Sequence, residues 1–264
     1  MTARTATALV LAASRGPEDP IARQAGVGHK ALVPVGGRPM LQRVVEALGA
    51  SGCVGRIVVS IDRAAVLAAC PALAQAAAAG GLEALASRAS ASASVAAAFD
   101  ALEPPILVTT ADHALLTPNL VRRFWAGVPE GVDVAAGIVE ARLVRAAFPE
   151  ARRTFLGFRD GAIKGTNLFA LMTPGARAIA DFWARAERHR KRPLRLLVQV
   201  GPLTGVAFAA GLLTRAGAVR RLERRTGLNI ALVPLDDALA AIDVDKADDL
   251  ALAELLLAAR EGDR

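Results

Sequence analysis

Thr7-Ala8-Leu9-Val10-Leu11-Ala12-Ala13 runs into Ser14-Arg15-Gly16-Pro17, and the loop closes at Gly28-His29-Lys30-Ala31-Leu32-Val33-Pro34-Val35-Gly36-Gly37-Arg38-Pro39-Met40-Leu41. The first run is short and wholly apolar, the signature of a parallel strand buried on both faces. Ser-Arg-Gly-Pro neither continues a strand nor opens a helix cleanly. Pro39 stands where a helix begins, and Met40 to Leu48 carries helical apolar spacing. A strand, a loop with cations and a helix together make a geometry that holds phosphates. Ligands of open α/β sheets lie beyond the carboxyl ends of the strands, where free N–H groups and a helix N-terminus favour an anion. Arg15 and Lys30 add full charges there. The plain alternative is a surface loop with solvated cations.

Working outward, the same strand-then-helix pattern recurs. Arg56 to Ile61 and Pro105 to Thr110 read as further buried strands, and Val132 to Val139 as another. Ala64 to Ala79 reads as an alanine-rich helix ending at Gly80-Gly81. Ser87 to Ser94 looks like low complexity, but Val95 to Phe99 follows as a helix, capped by Ser92 or Ser94. Thr117-Pro118 opens the next helix. Alternating strands and helices predict a mainly parallel sheet flanked by helices. From Arg152 the pattern changes: apolar runs at Thr154–Phe158 and Asn167–Met172 flank Arg159-Asp160-Gly161, a hairpin signal. Asn229 to Val233 is a late strand, and Asp243-Val244-Asp245 leads into a last helix, Ala247 to Ala259.

At 264 residues, 53% hydrophobic and 22% charged, the chain has the composition of a globular domain. One domain over residues 1–264, with a basic helical insert at about 174–226, is the expected organisation. Between Pro174 and Thr226 stand twelve cations and three acids, a net +9, which leaves the remainder of a +7 chain at −2. The basicity is local and argues for a local anionic partner. No uncharged apolar stretch is long enough to span a membrane, and the first residues, with a short apolar run needed as a strand, are not expected to act as a signal peptide. Cys53 and Cys70 share no metal spacing and read as reduced, buried thiols of a cytoplasmic protein.

Asp112 follows a buried strand, where a hard cation beside a phosphate chain would be held. A helix cap or a salt bridge is the alternative for it. Asp243 and Asp245 lie two apart on an extended segment and so face the same way. Only four lysines occur, at 30, 164, 191 and 246, in a chain that otherwise uses arginine. A compact ammonium fits between phosphate oxygens in a way a planar guanidinium does not.

Leu11-Ala12-Ala13-Ser14-Arg15-Gly16 and His29-Lys30-Ala31-Leu32-Val33-Pro34-Val35-Gly36-Gly37-Arg38-Pro39-Met40-Leu41 together resemble the opening of the MobA-like NTP transferases. These are nucleotidyltransferases of GT-A, Rossmann-like fold, whose motifs run L-A-G-G-x-G-x-R-M and P-K-x-L-x-x-x-G-x-P-x-L. Ala13 and Ser14 replace the paired glycines, and the loop before Lys30 is long. Thr110 to Leu116 resembles G-D-x-P-L-L, with Ala114 for Pro, and Ile242 to Leu250 resembles N-V-N/D-T-P-E-D-L.

The resemblance implies a transfer of NMP from an NTP, CTP or GTP favoured, to a phosphorylated acceptor with release of pyrophosphate. By it Lys30 and Arg15 are catalytic, and Asp112 and Asp245 hold Mg2+, with Asp243 a neighbour or alternative ligand. Leu11, Ala12, Ala13, Ser14, Arg15, Lys30 and Ser94 would contact the nucleotide, and Lys164 and Asn167 the acceptor. For Ser94 a plain helix cap, and for Lys164 a solvated hairpin residue, are the alternatives. His29 and His113 are then structural, because an ionised phosphate needs no general base.

The acceptor is expected to be a small molecule or a lipid head-group precursor. Two other readings compete: a glycosyltransferase of the same fold using a nucleotide sugar, and a non-catalytic membrane-associated nucleotide-binding module. Nucleic acid is not an expected partner, because the insert lacks stacking aromatics. Leu194 to Leu213 is apolar with arginines at both ends. That pattern suits peripheral contact with an anionic membrane, at its inner face, or a packed helix with a solvated basic side.

Overall fold

A computed structural model of the chain describes residues 5–14, 19–150, 153–188 and 201–262. The expectations for Arg15 and for the arginines at 190–195 lie outside the described residues.

The apolar opening run forms β1, Ala6–Leu11, and three more strands align parallel with it or with one another: β4 (Val54–Ile61), β5 (Leu82–Ala86) and β6 (Ile106–Thr110). Two further parallel strands, β7 (Val134–Glu140) and β9 (Ile230–Pro234), pair with each other. Between β6 and β7 runs β8, Ile163–Leu171, antiparallel to both. The sheet order is therefore β5-β4-β1-β6-β8-β7-β9, and a two-stranded ribbon of β2 (Pro34–Val35) and β3 (Arg38–Pro39) stands apart.

Helices cover both faces. On one lie α2 (Met40–Gly49) and α6 (Pro118–Ala126), whose buried Leu41, Val44, Leu48, Leu120 and Phe124 meet Val10, Val59 and Leu107 of the sheet. On the other lie α5 (Ala91–Ala98) and α8 (Arg177–Arg188), which bury Val95, Ala98, Ile179 and Ala180 against Leu9 and Val108. A smaller cluster joins α1 (Pro20–Gln24) to the ribbon and to the last helix, Ala247–Gly262, through Ile21, Val35, Met40 and Ala253.

Some expectations need correction. The single helix expected over Ala64–Ala79 is two, α3 (Ala65–Ala68) and α4 (Pro71–Ala78). Pro71 has no N–H to continue the first helix and starts the second. The α5 cap is Ser90, whose Oγ accepts the Ala93 N–H, and neither Ser92 nor Ser94. The Asp160-Gly161 turn forms, but its arms meet only at the Leu156–Ile163 bridge. β8 pairs instead with β6 and β7, where its apolar side chains are buried on both faces. Cys53 is half-buried, whereas Cys70 is buried as expected.

In the basic segment, the described part of the apolar stretch forms α9, Pro202–Ala209, which ends in a turn before α10, Arg215–Thr226. It is not one helix running to Leu213: Gly211, with a left-handed φ of 67°, turns the chain after Ala209, and Thr214 caps a new helix by accepting the Gly217 N–H.

Candidate active site

The carboxyl ends of β1, β4 and β6 and the amino end of the antiparallel β8 all open on one edge of the sheet, and the candidate residues gather there. Lys30 sits on a single 3-10 turn, Lys30–Leu32, just after the long loop. Its ammonium donates to Asp112 Oδ2 at 3.0 Å and to Asp245 Oδ1 at 2.6 Å. Asp112 is two residues past β6 and also accepts from Thr110 Oγ1 at 2.5 Å. The C-terminal segment is tied to it, since the Val244 N–H donates to the Asp112 carbonyl at 3.0 Å. Residues 82 and 215 positions away from Lys30 thus converge on one ammonium.

Burial works to lower the Lys30 pKa, but the Asp112 charge and the Asp245 hydrogen bond outweigh it, and the value is raised. Lys30 stays charged at any physiological pH. The donor set suits a hard cation: carboxylate oxygens already converge on one positive charge. Among the described residues no three His, Cys, Asp or Glu side chains form a group able to hold a metal. Two carboxylates with substrate phosphates supplying further oxygens are, however, the environment magnesium takes. The residues fit that ion.

Beside Asp112 opens a cleft of about 420 Å³. Leu11, Ala13, Ser14, Ser60, Asp62, Arg88 and Ser94 line it. Ala12 does not reach it: the residue is buried, and its N–H is spent on the Ser60 carbonyl. Ser94 contributes its hydroxyl as the acceptor of the Arg88 N–H at 2.8 Å, which fixes the bend leading into α5.

Asp62 was missed from sequence. It follows β4 directly, so the strand-end rule that picked out Asp112 also applied to it. Its Oδ1 accepts from His29 Nε2 at 2.8 Å and from the Ser14 N–H at 3.2 Å. His29 Nδ1 in turn accepts the Ala31 N–H at 3.1 Å, so the ring proton is on Nε2. Burial raises the Asp62 pKa, but the His29 and Ser14 hydrogen bonds prevail and hold it below the ordinary value. A carboxylate, an imidazole and a backbone N–H thereby fasten the long loop that carries Lys30.

Asp243 and Asp245, expected to face one way, serve different partners. Asp243 accepts from Arg153 Nη1 at 3.1 Å and from Lys164 Nζ at 3.4 Å. Lys164 is on β8 and half-buried, so it is not a solvated hairpin residue. Asn167, three residues on, takes a left-handed backbone with φ of 52°, next to a register shift of β7 against β8. His113 is fully buried, and burial holds its pKa down to about 4, opposed by the Asp243 charge and assisted by Lys164. It is a neutral core histidine at pH 7, out of reach of the cleft.

A sequence model of the MobA-like NTP transferase domain matches residues 8–147, just over half of the chain. Comparison with curated proteins finds no match. Among solved structures, a hypothetical transferase from Thermus thermophilus is 31% identical over 93% of this chain and 99% of that one, with a TM-score of 0.77. The fold is shared by 4-diphosphocytidyl-2C-methyl-D-erythritol synthase from Anaerococcus prevotii DSM 20548, at 11% identity and TM-score 0.60 over 97% of each chain. It is shared too by a CMP:2-keto-3-deoxy-manno-octonic acid synthetase complexed with CTP, at 16% identity and TM-score 0.58 over 97% of this chain and 99% of that one.

Proposed function

The chain belongs to the MobA-like NTP transferase family and is a nucleotidyltransferase; from that premise we propose that it moves NMP from CTP or GTP onto a phosphorylated acceptor. The observation that carries this is the Lys30 ammonium held between Asp245 and Asp112, the second of which also lines the Ser14–Asp62–Ser94 cleft. An oxygen of the acceptor phosphate bonds to the α-phosphorus, the α–β bridging bond breaks, and its electron pair leaves on pyrophosphate. The nucleophile is already ionised, so no protein base is needed. Positioning and charge neutralisation dominate such a transfer.

Lys30 exchanges carboxylate for phosphate oxygens and offsets charge on the leaving group. Arg15 is proposed for the same task. Asp112 and Asp245 would hold magnesium, which supplies further neutralisation of the phosphates. Leu11, Ala13, Ser14 and Ser94 line the nucleotide's side, and Lys164 and Asn167 meet the acceptor. Pyrophosphate release, measured with each of the four NTPs, magnesium and a panel of phosphorylated acceptors, tests the reading. Release of a nucleoside diphosphate from a nucleotide sugar would instead favour the glycosyltransferase alternative.

Among the described residues no helix is long and apolar enough to cross a membrane. We place the insert against an anionic bilayer surface instead. Val206 and Leu212 are 64% and 65% exposed, beside Phe208. A groove of about 320 Å³ follows, lined by Phe158, Phe182 and Leu222 and rimmed by Arg221 and Arg225. Apolar side chains that project next to arginines match lipid head groups and the acyl boundary beneath them. Flotation with anionic vesicles at low salt is the expected result. No binding under those conditions would end the membrane assignment and leave the transfer chemistry as it stands.

A further inference from the structure

Arg153 belongs to no motif, yet its side chain is only 7% exposed. It hangs from the connection between α7 (Ala141–Ala147) and β8 and reaches the C-terminal segment ninety residues away. One arm of the guanidinium, Nη1, donates to Asp243 Oδ1 at 3.1 Å and to the Asp243 carbonyl at 3.3 Å. The other, Nη2, meets Asp249 Oδ1 at 2.9 Å. The second oxygen of Asp249 accepts the N–H groups of Asp245 and Lys246, at 3.1 and 3.0 Å. Both ends of Asp243-Val244-Asp245 are therefore fastened to one guanidinium, directly at Asp243 and through Asp249 at Asp245.

Burying an arginine is costly, and a hydrophobic residue of its size would often stabilise a fold as well. What the guanidinium adds is a rigid planar fork that fixes two carboxylates relative to each other. Its Nε has no partner among the described residues. On its outer side lies a cavity of about 600 Å³, bounded also by Phe148, Lys246 and Leu252. Ile242 and Val244 pack the segment into the core on its inner side, and the ionic clamp meets it on this outer one.

We propose that Arg153 is a positioning residue that acts through Asp249 to aim the Asp245 carboxylate at the cation site it shares with Asp112. The inference rests on Asp245 being a metal ligand. Outer partners of metal ligands commonly change metal affinity by about 10–100-fold when removed.

The test is direct Mn2+ binding with nucleotide present, followed by electron paramagnetic resonance, on Arg153→Met, Arg153→Lys and Asp249→Asn. Arg153→Met keeps most of the volume and removes the fork. It should weaken Mn2+ at least tenfold and raise the magnesium needed for half-maximal pyrophosphate release, while KM for NTP changes little. Arg153→Lys restores charge without the fork and should not rescue. If Arg153→Met fails to fold, Asp249→Asn carries the same expectation. A folded variant that binds Mn2+ as tightly as the parent overturns the proposal. So does a parent protein that binds no Mn2+, whereas the transfer reading itself is judged separately, by pyrophosphate release.

Discussion

Replacing Lys30 by Met keeps most of the length of the side chain, one atom short, and removes its charge. In the empty protein this takes away the ammonium that both Asp112 and Asp245 accept from. Lys30 is 17% exposed and Asp112 21%, but Asp245 is 58% exposed, so water relieves much of the repulsion. The fully buried penalty of about 3–5 kcal/mol is too large for such a pair; roughly 1–2 kcal/mol is a fair expectation once solvent screening is included. In a chain of this size that is a fall in Tm of about 2–4 °C per kcal/mol. The catalytic loss should be larger. A donor aimed at developing charge is worth about 10²- to 10³-fold in kcat, or roughly 2.7–4 kcal/mol. Steady-state pyrophosphate release, with Tm by circular dichroism as the control, separates the two effects. Lys30→Arg should remain impaired, because a planar fork does not fit between two carboxylates that hold one ammonium. Lys246→Met, outside the nucleotide cleft, should stay within a few-fold of the parent. A Lys30→Met protein that kept a third of the parent's kcat/KM would show that the loop does not grip the triphosphate.

Asp112→Asn and Asp245→Asn should each lower turnover by at least about 10²-fold at saturating magnesium with the fold intact, and Asp243→Asn should be milder; near-parental turnover in either of the first two removes that residue from the metal set. Asp62→Asn should flatten the acid limb of the stability curve, read from urea midpoints below about pH 4. The sign follows from its lowered folded pKa: as pH falls the unfolded chain takes up the proton first, so the contribution is complete above the ordinary carboxyl value and lost as pH drops through the folded one. Asn167→Gly suits the left-handed backbone and should leave Tm unchanged or higher. If Asn167 also meets the acceptor, KM for acceptor rises in the same variant; an unchanged KM confines the residue to a backbone role.

The parallel strands β1, β4, β6 and β7 were legible from their short, mainly apolar runs, whereas β8, central but interrupted by Lys164-Gly165-Thr166-Asn167, read only as a hairpin arm. Leu82–Ala86 was not, because an edge strand with a solvated side and a Glu at position 83 carries no such run. The split at Pro71 was legible in principle from a single residue and was masked by the alanines around it. At the site, Lys30, Asp112 and Asp245 were each visible as a residue type at a strand end or loop closure. Their meeting point was not, since sequence separations of 82 and 215 say nothing of distance. Arg153 left no local signal at all: its role exists only once the segment near Asp243 folds back across it.

The same contrast explains how the chain tolerates its altered first motif. Paired glycines let a phosphate approach the backbone closely, and Ala13-Ser14 does not offer that freedom. Here the loop is shaped by other means. Asp62, at the end of the neighbouring strand, draws in the Ser14 N–H from one side and His29 from the other. His29 then accepts the Ala31 N–H and so caps the turn that carries Lys30. The position of the ammonium is thereby set from β4, across a long intervening loop, and not by the glycines of β1's own exit. Between these two anchors α1 packs Ile21 and Ala22 against Val35 and Met40, which steadies the same loop from its other side. Ser14 gives the latch only a backbone N–H, so its side chains are those of Asp62 and His29, and Asp62 matters to the site although it belongs to none of the motifs.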